Sequence, residues 1–279
     1  MIFGGTQHRS NKFDAAFVCT KIDAAKIVKR MVKCKYFTFF TFLLFYLFTF
    51  LCTFVNRMAI KYTKGEEIWN SSSHGAGILL GVVVGIIFLI WCFREGDGWA
   101  STAVILYLVG MLFSYITSTV YHALPHRFMT GKRAIAKETW RKLDHAAIYW
   151  HIAGSYSPLT LIALREQGYW GWTLFCFVWL CAIAGTVMSF VRLKEHSHLE
   201  TFCFIGMGLS VLVAFKPLIA SVSTAAVIWI IAEGVCYITG AVFYSLNKQK
   251  YMHTVFHFFV LAGSVCHIIA VWDVLMQYL

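Results

Sequence analysis

Seven runs of apolar residues, most of them about twenty residues long, recur along this chain: Gly75–Phe93, Trp99–Tyr121, Ala146–Leu164, Tyr169–Val191, Thr201–Phe215, Ser221–Ser245 and Thr254–Trp272. The hydrocarbon core of a bilayer is roughly 30 Å thick, and about 20 residues of helix cross it. Lipid satisfies no backbone N–H or C=O group, so segments of this length can cross only as helices. The fifth run is short, with Lys216 placed to snorkel its ammonium to the surface. The expected fold is an all-α membrane protein, a seven-transmembrane helix bundle with short connections. Charged residues make up only 13% of the 279 residues, against about 25% in soluble domains, which excludes disorder and a small secreted scaffold. None of the nine cysteines forms a C-x-x-C pair. Most lie in or beside apolar runs, where cysteine acts as a small hydrophobe, so neither a disulfide framework nor a thiolate metal site is expected.

The basic residues orient the spans. Four alternate connections carry thirteen lysines and arginines, whereas the other side carries only Arg94, Arg165 and Lys216. The positive-inside rule puts the richer side in the cytoplasm and Leu279 outside, with the core N-terminus cytoplasmic in a multi-pass cell (plasma) membrane protein. The net charge of +11 reads as topology and anionic-headgroup contact. Membrane lipids are the expected partners, and nucleic acid is not.

An eighth apolar run, Phe37–Val55, has eight phenylalanines and follows a lysine-rich segment. If it also crossed, the eight basic residues of 1–36 would move to the sparse side and the charge asymmetry would nearly vanish. Residues 1–57 are therefore expected to be an N-terminal extension of doubtful status. Either translation begins at Met58, or the run is an anchor or an uncleaved signal-like segment; residues 58–279 form the core.

Polar residues inside spans are costly and mark function by default. The second span ends with Ser114, Ser118 and His122 at four-residue steps, one helical stripe. The third starts with Asp144 and His145 on the same side; His151 and Ser155 continue the Asp144 face. The seventh starts with His253 and His257, one turn apart, and Ser264 and His267 prolong that stripe. Three helices thus bring Ser, Asp and three His to one depth, one to two turns below the inner surface. Two histidines at i, i+4 with a third from a neighbour make a three-nitrogen site that leaves a tetrahedral position for water. Zinc suits imidazole ligands, as Fe, Ni and Mn also can. Asp144 and Ser118 are the right types to hold or deprotonate that water and to hydrogen-bond to it or to a developing oxyanion. Each residue also has a plain structural explanation: histidines favour interfaces, and serine in a span usually bonds to its own helix.

The segments YTKGEEIWNSSSHG (62–75), STVYH (118–122), KLDHAAIYWHIAGSYSP (142–158), GAVFY (240–244) and HTVFHFFVLAGSVCH (253–267) together resemble the hemolysin III family, part of the PAQR group of seven-helix membrane proteins. The resemblance runs from about Met58 to the C-terminus. It implies Zn2+ held by His122, His253 and His257, with Ser118 and Asp144 contacting the water there. Glu66, Glu67, Asn70 and His74 match the family's motif before the first span, with no role evident from spacing. His267 also matches, but it stands about 15 Å farther along the helix than His257, too deep for a fourth ligand. Trp69 and His151 depart from the expected smaller or aliphatic residues, and Glu233 sits mid-span without an obvious partner.

Three functions compete. The related membrane hydrolases imply a metal-dependent hydrolase of a lipid amide or ester. The family name implies a cytolytic pore-former, but a pore needs polar groups along its whole depth, and these cluster at one end. Eukaryotic PAQR proteins imply a lipid-sensing receptor with structural zinc.

Overall fold

The computed structural model describes residues 62–124, 131–192, 198–246 and 249–279, which lie in one compact unit. The apolar run Phe37–Val55 and the start at Met58 fall outside the described residues. Among these residues every regular element is helical: α1 (Lys64–Glu95), α2 (Gly98–Ala123), α3 (Lys132–Pro158), α4 (Trp170–Arg192), α5 (His198–Gly208), α6 (Phe215–Ser221), α7 (Thr224–Ser245) and α8 (Met252–Tyr278). A π-turn, Leu159–Ala163, prolongs α3, and a 3-10 segment, Leu209–Ala214, joins α5 to α6. The protein is an all-α membrane protein, and six helical rods among the described residues are long and apolar enough to cross a membrane.

Local chemistry starts and stops the rods. Thr63 and Glu66 cap α1 reciprocally: the Thr63 hydroxyl accepts from the Glu66 N–H, and the Glu66 carboxylate accepts from the Thr63 N–H at 2.8 Å. Gly96, at φ 70°, ends α1 in the left-handed conformation that glycine adopts without strain. The Asp97 carboxylate then accepts from the Trp99 and Ala100 N–H groups to open α2. Two connecting residues suffice because one helix's C-cap adjoins the next one's N-cap.

Two sequence expectations need correction. The fifth crossing does not stop at Phe215; it runs from Leu199 to Ser221. Pro217 lacks the N–H that would close a normal α-helical turn, and the rod winds to 3-10 just ahead of it before resuming as α6. The third rod, α3, is not among the six apolar ones. Its first half is charged, and its second half is largely buried among neighbours, with Ala146, Ala147, Tyr149, Ala153, Gly154 and Tyr156 all inside. A helix screened from lipid by other helices has no need of an apolar surface all round.

Each rod packs on its chain neighbours, and α8 closes the set by packing on α1 as well as α7. Small residues permit the closest approaches, as expected where lipid supplies no hydrophobic drive between helices. Gly110 of α2 lies against the backbone of α3, where an added Cβ would sit 2.2 Å from the Trp150 carbonyl oxygen. Gly77, Gly81 and Gly85 make one stripe on α1 that receives Tyr115, Leu112 and Leu108 of α2. This packing brings the starts of α1, α3 and α8 and the end of α2 together at one end of the bundle.

Candidate metal centre

His122 comes from the last turn of α2, and His253 and His257 from the first two turns of α8. All three are buried, His122 and His257 almost completely (2% and 1% exposed). His253 Nε2 stands 3.3 Å from His122 Nε2 and 3.0 Å from His257 Nε2, and one donor atom from each ring lies within 4.8 Å of the others. Among the described residues this is the one group of three or more His, Cys, Asp or Glu side chains gathered tightly enough to hold a metal ion.

The outer nitrogens determine what the inner ones present. His122 Nδ1 is 2.6 Å from Glu67 Oε2, and His257 Nδ1 is 3.2 Å from the Asn70 carbonyl oxygen. An ionised carboxylate and a carbonyl only accept, so in each neutral ring Nδ1 carries the proton and Nε2 carries a lone pair. Two lone pairs thus converge on the His253 Nε2, which can donate to one of them at most. A cation supplies the missing positive partner. Nitrogens bound at about 2.0–2.1 Å to a tetrahedral zinc stand about 3.3–3.4 Å apart; the His253–His122 pair has that spacing, and the His253–His257 pair is closer. The donor set fits a metal ion on the geometry and on the tautomers that its surroundings enforce.

Glu67 and Asn70 are the parts that sequence spacing left without a role. Both lie on the first turns of α1, and they fix two rings whose coordinating atoms they never touch, the carboxylate–histidine arrangement typical of metal sites. Glu67 Oε1 is also 3.7 Å from Lys137 Nζ, which donates to the Leu124 carbonyl. Burial pushes the Lys137 ammonium below the usual lysine range, and the Glu67 carboxylate pulls part of that back. The Asn70 side-chain oxygen accepts from the Thr254 hydroxyl at 2.5 Å, which ties α1 to the first turn of α8. His74, the other histidine of that motif, stacks on His257 with ring centroids 3.7 Å apart and the planes nearly parallel. Tyr62 stacks on His253 with centroids 4.9 Å apart and covers that side of the cluster.

Ser118 is buried one turn before His122, and its hydroxyl interacts with the Asp144 carboxylate of α3. His122 and His145 both lie within electrostatic reach of that carboxylate. Ser118, Asp144 and the three histidines therefore meet at one end of the bundle. His145 turns toward α5 instead, where its Nδ1 meets Glu200 at 2.8 Å and Ser189 donates to the other oxygen of the same carboxylate. Trp69 stands on the outer surface, 55% exposed.

Residues 62–268 match the family profile described as Haemolysin-III related. The chain belongs to the haemolysin III family. Hemolysin-3 of Bacillus cereus is 35% identical over 199 residues, covering 71% of this chain and 87% of that protein. A Hemolysin-3 homolog of Bacillus subtilis (strain 168) is 34% identical over 203 residues, 73% of this chain and 91% of its own length. The human Monocyte to macrophage differentiation factor is 26% identical over 221 residues, 78% of this chain and 87% of its own. Every residue of the metal centre named above lies inside the span matched to the haemolysin III profile.

Proposed function

We propose that this protein is a zinc-dependent hydrolase of a membrane-lipid amide or ester, working at the cytoplasmic end of its bundle. The observation that carries the reading is the convergence of two enforced imidazole lone pairs on His253, with a carboxylate and a hydroxyl at the same depth. His122, His253 and His257 would hold the ion. Bound zinc acts as a Lewis acid and lowers the pKa of a water to about 7.

The chain's own groups then divide the remaining work. Asp144 takes up the proton that the attacking water must lose, with the Ser118 hydroxyl holding that carboxylate in place. As the Asp144 charge is neutralised, the Ser118 hydroxyl is free to donate a hydrogen bond to the carbonyl oxygen, which gains negative charge as the amide or ester is attacked, and Asp144 then gives its proton to the departing amine or alcohol. Glu67 keeps the Nδ1 proton on His122, and the Asn70 carbonyl keeps it on His257, so neither ring rotates during turnover. The ring of Tyr62 screens one side of the cluster from water.

The thirteen-to-three distribution of basic residues supports placing this end at the cytoplasm, with Leu279 outside. The names of the bacterial relatives suggest lysis. A pore would need polar groups exposed along its length, and here the deep polar side chains of α2, α3 and α8 are buried against one another.

The test is mass spectrometry of lipids that co-purify with the wild type and with Asp144→Asn. The variant should keep its metal and accumulate one lipid amide or ester that the wild type turns over. Identical lipids in both proteins, with metal bound, would overturn catalysis and leave a structural ion in a lipid sensor.

A further inference from the structure

A second group of polar side chains lies deeper in the bundle, apart from the metal centre. Glu233 of α7 and His267 of α8 pair at 2.8 Å through Oε2 and Nδ1. His267 is ten residues beyond His257, about 15 Å along the helix, which is half the thickness of a hydrocarbon core. One turn nearer the metal centre, Ser264 of α8 accepts from the Tyr115 hydroxyl of α2 at 2.7 Å. Ser264 also lies 3.4 Å from His151 Nε2 of α3 and 3.3 Å from the Tyr237 hydroxyl of α7. His151 meets Ser264, and His267 stands on the same face of α8 one turn farther on. His267 Nε2 and the Tyr107 hydroxyl are both buried with their hydrogen-bonding capacity unused, and their rings are 5.0 Å apart.

Two ligand classes suit a carboxylate beside imidazoles: a metal ion or a proton. A metal is disfavoured, because the one group of described residues with three donors within metal distance is the His122 cluster. A buried carboxylate beside an imidazole can, however, share one added proton, which neutralises its charge inside the membrane. Tyr107, Tyr115, Tyr156, Tyr237 and Cys266 are the other titratable groups around it, and all stay neutral near pH 7.

We propose that Glu233 and His267 form a proton-binding dyad in the middle of the membrane, loaded from the metal end through Tyr115, Ser264 and His151. Tyr115 already donates to Ser264, so the chain has a direction. Ser264 passes its hydroxyl proton to His151 Nε2 as it receives one from Tyr115, which regains one from water at the metal end. His151 releases a proton from Nδ1, His267 takes one at its unused Nε2, and His267 gives its Nδ1 proton to Glu233. Each hydroxyl ends protonated and each imidazole ends neutral in its other tautomer, which a ring flip resets, and the net change is one proton moved to the carboxylate. No electrons move and no co-reactant is needed. The outer half of the rods offers no continuation of the chain among the described residues, so the dyad is a store with one entrance and not a conduit across the bilayer.

This inference does not rest on the hydrolase reading and needs no substrate to test. The full-length protein in lipid nanodiscs is subjected to a rapid drop in pH while the infrared band of protonated carboxyl groups is recorded. The expected band grows in the wild type, is absent in Glu233→Gln and shifts in frequency in His267→Asn. It should form at least tenfold more slowly in Ser264→Ala and in Tyr115→Phe, with metal content unchanged as the sign of intact folding. Should Glu233→Gln fail to fold, the frequency shift in His267→Asn identifies the band. A band that never appears, or one that forms at the wild-type rate in both hydroxyl variants, would overturn the proposal.

Discussion

At the scale of single residues, metal binding turns on which nitrogen of each ring carries a proton. Glu67 and the Asn70 carbonyl decide this for His122 and His257, although neither is a ligand. Glu67→Gln keeps the shape and removes the charge that orients His122. Loss of such an outer partner typically costs about 10–100-fold in metal affinity; competition with a chelator should show a fall of that order, while Glu138→Gln, on the exposed face of α3, should show none. The ligands themselves were legible in the sequence, because His253 and His257 stand one turn apart and His122 ends a span on the same side. The role of Glu67 was not, because its partner is 55 residues away and nothing local to α1 points to it. Glu233 was opaque for the same reason: its partner His267 lies on another helix, and only packing brings the two together.

At the scale of elements, the separation of α2 and α3 sets where Ser118 and Asp144 meet. That separation depends on glycine: Gly110 would place a Cβ 2.2 Å from the Trp150 carbonyl oxygen, and Gly154 would place one 2.9 Å from that of Leu106. Backbone cannot yield as a side chain can, so Gly110→Ala must push the helices apart. A loss of about 1–3 kcal/mol is expected, the usual cost of overpacking, measured by unfolding in mixed micelles. Gly206→Ala, where an added Cβ meets open space, should leave stability unchanged or slightly raise it through helix propensity. Span positions were readable from hydropathy because lipid imposes length and apolarity directly. The full length of the fifth crossing was not, since the charge of Lys216 and the missing N–H of Pro217 interrupt the apolar run. Tertiary packing carries the rod past them to Ser221.

At the scale of the whole molecule, an all-helical bundle gathers its buried histidines toward one end and the centre. The end with the metal centre is expected to face the cytoplasm, since it is the end of the lysine- and arginine-rich connections. A reporter fused after Leu279 should accordingly be active outside the cell and silent inside; a cytoplasmic signal would reverse the orientation. Metal removal should also lower the stability of the whole bundle, because an ion that links α2 to α8 binds the folded state and not the unfolded one. A chelator should lower the unfolding midpoint in the wild type and have little effect on a protein whose ligands have been replaced.

Elemental analysis of the purified protein tests the centre most directly. About one zinc per chain should accompany the wild type, as three imidazoles around one ion require, and the His253→Ala/His257→Ala double variant should contain essentially none. Full metal occupancy in that double variant would contradict the account.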